Sequence, residues 1–130
     1  MFRKVILMLA LGLSCGSAMA EWTRVVNDDG GTKVYANLSR ITVAGNKAKM
    51  WTLSDYNKVQ EATNEKFLSR AILNEFDCNE ETNRILAIID YSNNMSLGDV
   101  VYSGNGNTEP YPFPPDSVDG ILWKVACNKP

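Results

Sequence analysis

Along most of the chain, apolar and polar residues alternate with the period of two that a pleated strand exposes, and glycine, asparagine and aspartate punctuate the runs. Trp22 to Asn27 predicts a first strand, Asp28-Asp29-Gly30-Gly31 a tight hairpin turn, and Lys33 to Ala36 a second strand. In residues 47–56, "KAKMWTLSDY", Ala48, Met50, Thr52, Ser54 and Tyr56 share one face while Lys47, Lys49, Trp51, Leu53 and Asp55 share the other. Neither face is cleanly apolar, so the pattern alone does not set a register. The polar stretch 57–65, "NKVQEATNE", has no period and predicts a loop. Phe67 to Cys78 resumes as a long strand with Leu68, Ile72, Phe76 and Cys78 on one side, and 79–83 reads as a turn. Arg84 to Tyr91 has the best alternation in the chain, with Ile85, Ala87, Ile89 and Tyr91 on one face and Arg84, Leu86, Ile88 and Asp90 on the other.

After Tyr91 the signals mix. Asp99 to Ser103 predicts a short strand, whereas residues 104–115, "GNGNTEPYPFPP", predict loop or extended chain because of their glycine and proline. Pro114-Pro115-Asp116-Ser117 supplies prolines and then carboxylate and hydroxyl acceptors for the free amides of a helix start. Val118, Ile121, Leu122 and Val125 recur at helical spacing and predict about three turns ending at Cys127, with one apolar stripe to lay on the sheet. The fold class that follows is α+β: a single domain built on a twisted antiparallel sheet of about six strands, with a C-terminal helix packed on it. No internal repeat interrupts it.

The first twenty residues break the strand pattern. Arg3 and Lys4 precede an apolar run from Val5 to Leu13, and Ala18-Met19-Ala20 places small residues at the two positions a signal peptidase reads. The run is too short to anchor a chain across a bilayer. This divides the chain into a signal peptide, residues 1–20, and a domain, residues 21–130, that is periplasmic or secreted after cleavage behind Ala20. The alternative is an outer-membrane lipoprotein anchored through Cys15. A lipoprotein signal carries a branched aliphatic residue three before its cysteine and a small one two before it, and here Gly12 and Leu13 stand in the opposite order.

The chain has 13 basic residues, 15 acidic residues and no histidine. Cleavage removes Arg3 and Lys4, leaving 11 basic against 15 acidic side chains and a charge of −4, which is not a nucleic-acid-binding balance. Both signs are interspersed, so there is no polybasic membrane tail. Behind Ala20 two cysteines remain, Cys78 and Cys127, 49 positions apart. In an oxidising compartment the economical reading is an intramolecular disulfide, worth roughly 4 kcal/mol through the loop entropy it removes from the unfolded chain. A redox-active pair is the alternative, although the spacing is unlike Cys-x-x-Cys. Two thiols without histidine do not make an ordinary zinc site, so no metal is expected.

Candidate catalytic chemistry is sparse. No histidine can serve as base, and neither a Gly-x-Ser-x-Gly elbow nor a phosphate-binding glycine loop occurs, so no catalytic residue and no cofactor is assigned. Asp55, Asp77 and Asp90 lie on or beside predicted strands and are the carboxylates with a prospect of converging, as glycosidase pairs do. Trp22, Trp51 and Trp123 read as core or sheet-packing residues. Tyr102, Tyr111 and Phe113, flanking or within the proline-rich loop, are the candidate partner-binding surface.

Three stretches carry a family likeness: "EWTRVVNDDGGTKVYANLSRI" at residues 21–41, "EFDCNEETNRILAIIDYS" at 75–92 and "PPDSVDGILWKVAC" at 114–127. With the paired cysteines, Arg84 six after the first of them, and the proline-serine-valine entry to the last helix, they make the chain resemble the surface-adhesin protein E-like family of bacterial exported proteins. The resemblance implies a twisted antiparallel sheet with a helix packed on it and joined cysteines. In the member that named the family it also implies a surface lipoprotein that binds host matrix proteins and pairs as a homodimer. This chain lacks a good lipoprotein signal and its domain is acidic, and no ligand-binding residue carries over. The function expected is therefore that of a non-catalytic exported envelope protein that binds a macromolecule, a host matrix or envelope protein, through a sheet face, an open strand edge or the loop from Gly104 to Pro115. The alternative is a small-ligand carrier or a carboxylate-dependent hydrolase in the periplasm.

Overall fold

The computed structural model describes residues 21–27, 30–106 and 109–130. The expected signal segment with Cys15 and Ala20, and the expected turn at Asp28-Asp29, lie outside these residues. The alternation becomes one antiparallel sheet of eight strands: β1 (Thr23–Asn27), β2 (Lys33–Ala36), β3 (Thr42–Ala44), β4 (Lys47–Ala62), β5 (Glu65–Asp77), β6 (Thr82–Tyr91), β7 (Val100–Asn105) and β8 (Tyr111–Pro112). Six of them form the continuous path β1-β2-β4-β5-β6-β7. The two short strands fill in beside it, β3 on the start of β4 and β8 on the start of β6.

The expected loop over residues 57–65 is instead the far end of the central hairpin. β4 continues to Ala62, β5 starts at Glu65, and Thr63 and Asn64 close them with φ angles of 54° and 65°. Positive φ at both central positions is the turn geometry whose twist matches that of the flanking strands. Lys58, Val59, Glu61, Glu65 and Lys66 are all exposed, so this ribbon buries no face and leaves no period-two signature to read.

A second departure lies in β6. The pairing with β5 shifts between Leu73 and Asn74, which face Ala87 and Ile85, so Leu86 is an extra residue. A bulge of this kind switches the faces beyond it. Ile85 therefore shares the face of Asn74, while Ala87, Ile89 and Tyr91 share the face of Leu73, Ala71 and Ser69. The four residues expected on one face are split by that single insertion.

The mixed character of residues 47–56 has a simple cause: both faces of β4 are covered. On one face Ala48 and Met50 are fully buried with Val34, Ala36 and Phe76, under Leu122, Trp123 and Ala126 of a helix, α1 (Val118–Cys127). On the other face Leu53 and Ser69 are fully buried and Ala71 nearly so, near a short helical turn at Asn94–Ser96. That turn is tied down by Asp55, whose Oδ1 accepts from the Met95 amide at 2.7 Å, and by the Ser69 hydroxyl, which accepts from the Ser96 amide at 3.0 Å and donates to Asn93 O at 2.7 Å. The Trp22 indole reaches the same turn at Ser96 Oγ, 3.3 Å away.

Helix α1 starts where the prolines and Ser117 predict. Ser117 is extended, with φ −80° and ψ 170°, and its Oγ accepts from the Gly120 amide at 3.2 Å. Gly120 permits a tight entry, since a Cβ there would stand 2.4 Å from Pro115 O. At the other end Asn128 adopts the left-handed conformation, and the amides of Asn128 and Lys129 return to the carbonyls of Val125 and Lys124. Cys78 and Cys127 are bonded, with Cα atoms 5.6 Å apart, so the helix is covalently joined to the residue after β5. The Trp123 indole adds a hydrogen bond of 2.8 Å to Asp77 O beside that joint.

Candidate functional site

The three aromatics expected to form a binding loop are placed differently from one another. Tyr111 on β8 points its hydroxyl inward, where it donates to Asp119 Oδ2 and accepts from Asn83 Nδ2, both at 3.0 Å. Phe113 packs against the helix-side core. Tyr102 on β7 stands on the surface, 41 % exposed. The inward turn of Tyr111 and Phe113 follows from β8: pairing Asn83 with Tyr111 fixes that end of the loop to the sheet edge.

Tyr111 ends a polar chain that crosses the sheet under the helix. Asn83 Nδ2 donates to Asn74 Oδ1 at 3.0 Å, and Asn74 Nδ2 donates to Thr52 Oγ1 at 3.0 Å and to Met50 O at 3.2 Å. Burial and the nearby Asp119 carboxylate push the Tyr111 hydroxyl up to about 12. It stays protonated across the physiological range and acts as a structural donor.

The three candidate carboxylates do not converge. Asp55 pairs with Ser69 and Asp77 pairs with Lys47 on one face of the sheet, eight positions apart along β5, which at about 3.3 Å per residue is roughly 26 Å. Asp90 lies on the opposite face, in register with Arg70. Each carboxylate is occupied. Asp55 holds the Asn94–Ser96 turn. Asp77 accepts from the amides of Asn79 and Glu80 and from Asn46 Nδ2. For Asp77, desolvation raises the pKa, but those three donors and the Lys47 charge outweigh it and hold the carboxyl below its ordinary range. Asp90, 2 % exposed, takes Arg70 Nε at 2.7 Å and Nη2 at 3.0 Å, and this hydrogen bonding raises the Arg70 guanidinium pKa despite partial burial. Among the described residues no three carboxylates or thiols gather as a metal site.

What remains open is part of the sheet face opposite α1. Lys49, Trp51 and Leu53 alternate along β4 on that face, Trp51 is paired with Leu73 of β5, and Lys49 stands between Thr42 of β3 and Glu75 of β5. Leu53 is buried towards the Asn94–Ser96 turn, whereas Trp51 and Leu73 are half-exposed and Lys49 is exposed. With Arg40, Ile41 and Ser39 from the segment before β3 they line a shallow groove of about 460 Å³. Glu75 is engaged by Arg84. Neither Arg40 nor Lys49 has an ion-pair partner among the described residues. Sequence reasoning placed Trp51 in the core with the other tryptophans. The available signal was its company, because the face it shares with Lys47 and Lys49 is the one carrying charge.

Solved structures share this architecture. Crystal form II of Haemophilus influenzae protein E aligns with a TM-score of 0.67 at 12 % identity, covering 82 % of this chain and 87 % of that one. A further structure of Haemophilus influenzae protein E gives 0.66 at 12 % identity, covering 82 % and 83 %. Protein E from non-typeable Haemophilus influenzae gives 0.63 at 12 % identity, covering 82 % and 75 %. At that identity the likeness is one of fold: an antiparallel sheet with one helix at its C-terminal end. No curated protein matches the chain in sequence. No helix among the described residues is long and apolar enough to cross a membrane. The family model described as Surface-adhesin protein E matches residues 22–128, nearly the whole length of the expected domain, and the chain belongs to that family.

Proposed function

We propose that this protein is a non-catalytic exported envelope protein that acts by binding a macromolecular partner, as an adhesin-like module. The observation that carries the reading is the open part of the sheet face opposite α1. Asp55, Asp77 and Asp90 are each spent on a turn or an ion pair, while that open face keeps a partly exposed tryptophan and leucine beside two cations that have no ion-pair partner among the described residues. Aromatic and arginine side chains presented on a rigid strand surface are the residues that dominate protein–protein recognition. Family membership supports a surface or exported role.

The export half of the proposal has residues 1–20 removed behind Ala20, leaving a soluble domain that starts at Glu21. Tyr102, exposed on β7, is offered as a second contact beside the main face, with Tyr111 and Phe113 supporting the loop from within. Cell fractionation with mass determination of the mature terminus tests location. A free Glu21 terminus in the periplasmic or secreted fraction is expected, and a lipidated Cys15 in the outer membrane would replace this reading with a surface-anchored one. Capture of a defined partner by the purified protein, together with sedimentation to determine whether it pairs with itself, tests the binding half.

A further inference from the structure

We propose that the groove on the open sheet face docks an acidic segment of a partner protein that also carries an aromatic or aliphatic side chain. In this arrangement Arg40 and Lys49 meet the carboxylates and Trp51 and Leu73 receive the apolar group. The proposal rests on the macromolecule-binding reading above and narrows it to one face and one chemistry.

Charge selects the occupant. The chain as a whole is acidic, with a formal charge of −2, yet the charged side chains lining this groove are both basic. The nearest carboxylate in register, Glu75, already holds Arg84, so it does not neutralise Lys49. Two cations without ion-pair partners among the described residues, beside an apolar floor, attract anions by Coulomb forces that salt screens and reward apolar contact by desolvation that salt leaves intact. A small metabolite is a poorer match. The groove is shallow and open, whereas a small-molecule site encloses most of its ligand.

Rigidity favours the same conclusion. Lys49 is paired on both sides, by Thr42 and Glu75, and Trp51 sits mid-strand opposite Leu73. A strand backbone that is already paired needs no further ordering when a ligand arrives, so the binding cost that remains is that of the side chains. Arg40 comes from the short helical turn at Leu38–Arg40, which starts beside a buried anchor, Asn37, whose amide bonds Trp51 O at 3.0 Å. The cation over the groove and the indole in its floor are therefore linked through the backbone.

The test is selection of a random twelve-residue peptide library displayed on phage, using the purified protein and two double variants, Arg40→Glu with Lys49→Glu and Arg40→Ser with Lys49→Ser. All four substituted side chains would lie at exposed positions, and unchanged melting confirms that the variants fold. The expected result is enrichment of peptides that combine glutamate or aspartate with an aromatic or leucine. A synthetic peptide of the enriched sequence should bind the wild type and lose at least tenfold in affinity to either variant, and several-fold on raising sodium chloride from 50 to 300 mM. No enrichment, enrichment without acidic bias, or binding that both variants keep would overturn the proposal. Retention of heparin in place of acidic peptides would assign the groove to an anionic glycan. A wild-type dimer that the variants dissociate would assign it to a second copy of this chain, and either outcome also overturns the proposal. A defined partner captured equally by wild type and variants would leave the binding function standing and remove only this site.

Discussion

Asp90 and Arg70 illustrate how a buried charge constrains this fold. The carboxylate is almost fully enclosed and is met by a bidentate guanidinium that also lies 4.8 Å from the Phe67 ring centroid. Removing the cation leaves an uncompensated buried charge, so Arg70→Met should cost about 3 kcal/mol in denaturant unfolding, far more than an exposed ion pair is worth. Tyr111 makes a prediction in the alkaline range. An unfolded tyrosine ionises near 10, while Tyr111 holds its proton to about 12. Between those values the unfolded state releases a proton that the native state keeps, so stability falls as pH rises through the window. Tyr111→Phe should cost about 1 kcal/mol at neutral pH, where Asn83 and Asp119 lose their partner. Its deficit relative to wild type should shrink between pH 10 and 12, as measured by melting temperature against pH.

At the scale of elements, the central hairpin offers a gain in stability. Thr63 is β-branched and sits at φ 54°, a conformation that favours asparagine or glycine. Replacing Thr63-Asn64 by Asn-Gly should raise stability by about 1 kcal/mol with no change in the spectrum of the folded protein. The same hairpin marks where the sequence stops being legible. Ordinary alternation revealed β1, β2, β6 and the halves of β4 and β5 that pack on something, and capping residues with helical spacing revealed α1. The tip of the hairpin packs on nothing, so its polar residues read as a loop. The Leu86 bulge was invisible because an extra residue in β6 leaves each half of the strand locally regular. β3 and β8, three and two residues long, are too short to carry a period and exist because a long neighbour offers them an edge. The candidate groove was half legible: lysines and a tryptophan alternate on one face, but only the placement of Arg40 and the engagement of Glu75 by Arg84 make it a site.

For the whole molecule, the bond between Cys78 and Cys127 ties the two parts of the helix-side core together. Its loss frees a loop of 49 positions in the unfolded chain. Reduction, or Cys127→Ser, should lower the melting temperature by roughly 10 °C, from a loss of 2–4 kcal/mol in a domain of this size, and melting that is indifferent to reductant would contradict the assigned role. The two coverings of the sheet are fastened by different means. The helix is welded in place, whereas the turn at Asn94–Ser96 is latched by hydrogen bonds to Asp55, Ser69 and Trp22. Thermal breathing therefore starts on the latched side, and amide exchange there should outpace exchange beneath the helix. Loosening should therefore begin at the Asn94–Ser96 turn and leave both the clasped half and the paired strands beneath the groove in shape, so the docking face outlasts the first stage of melting.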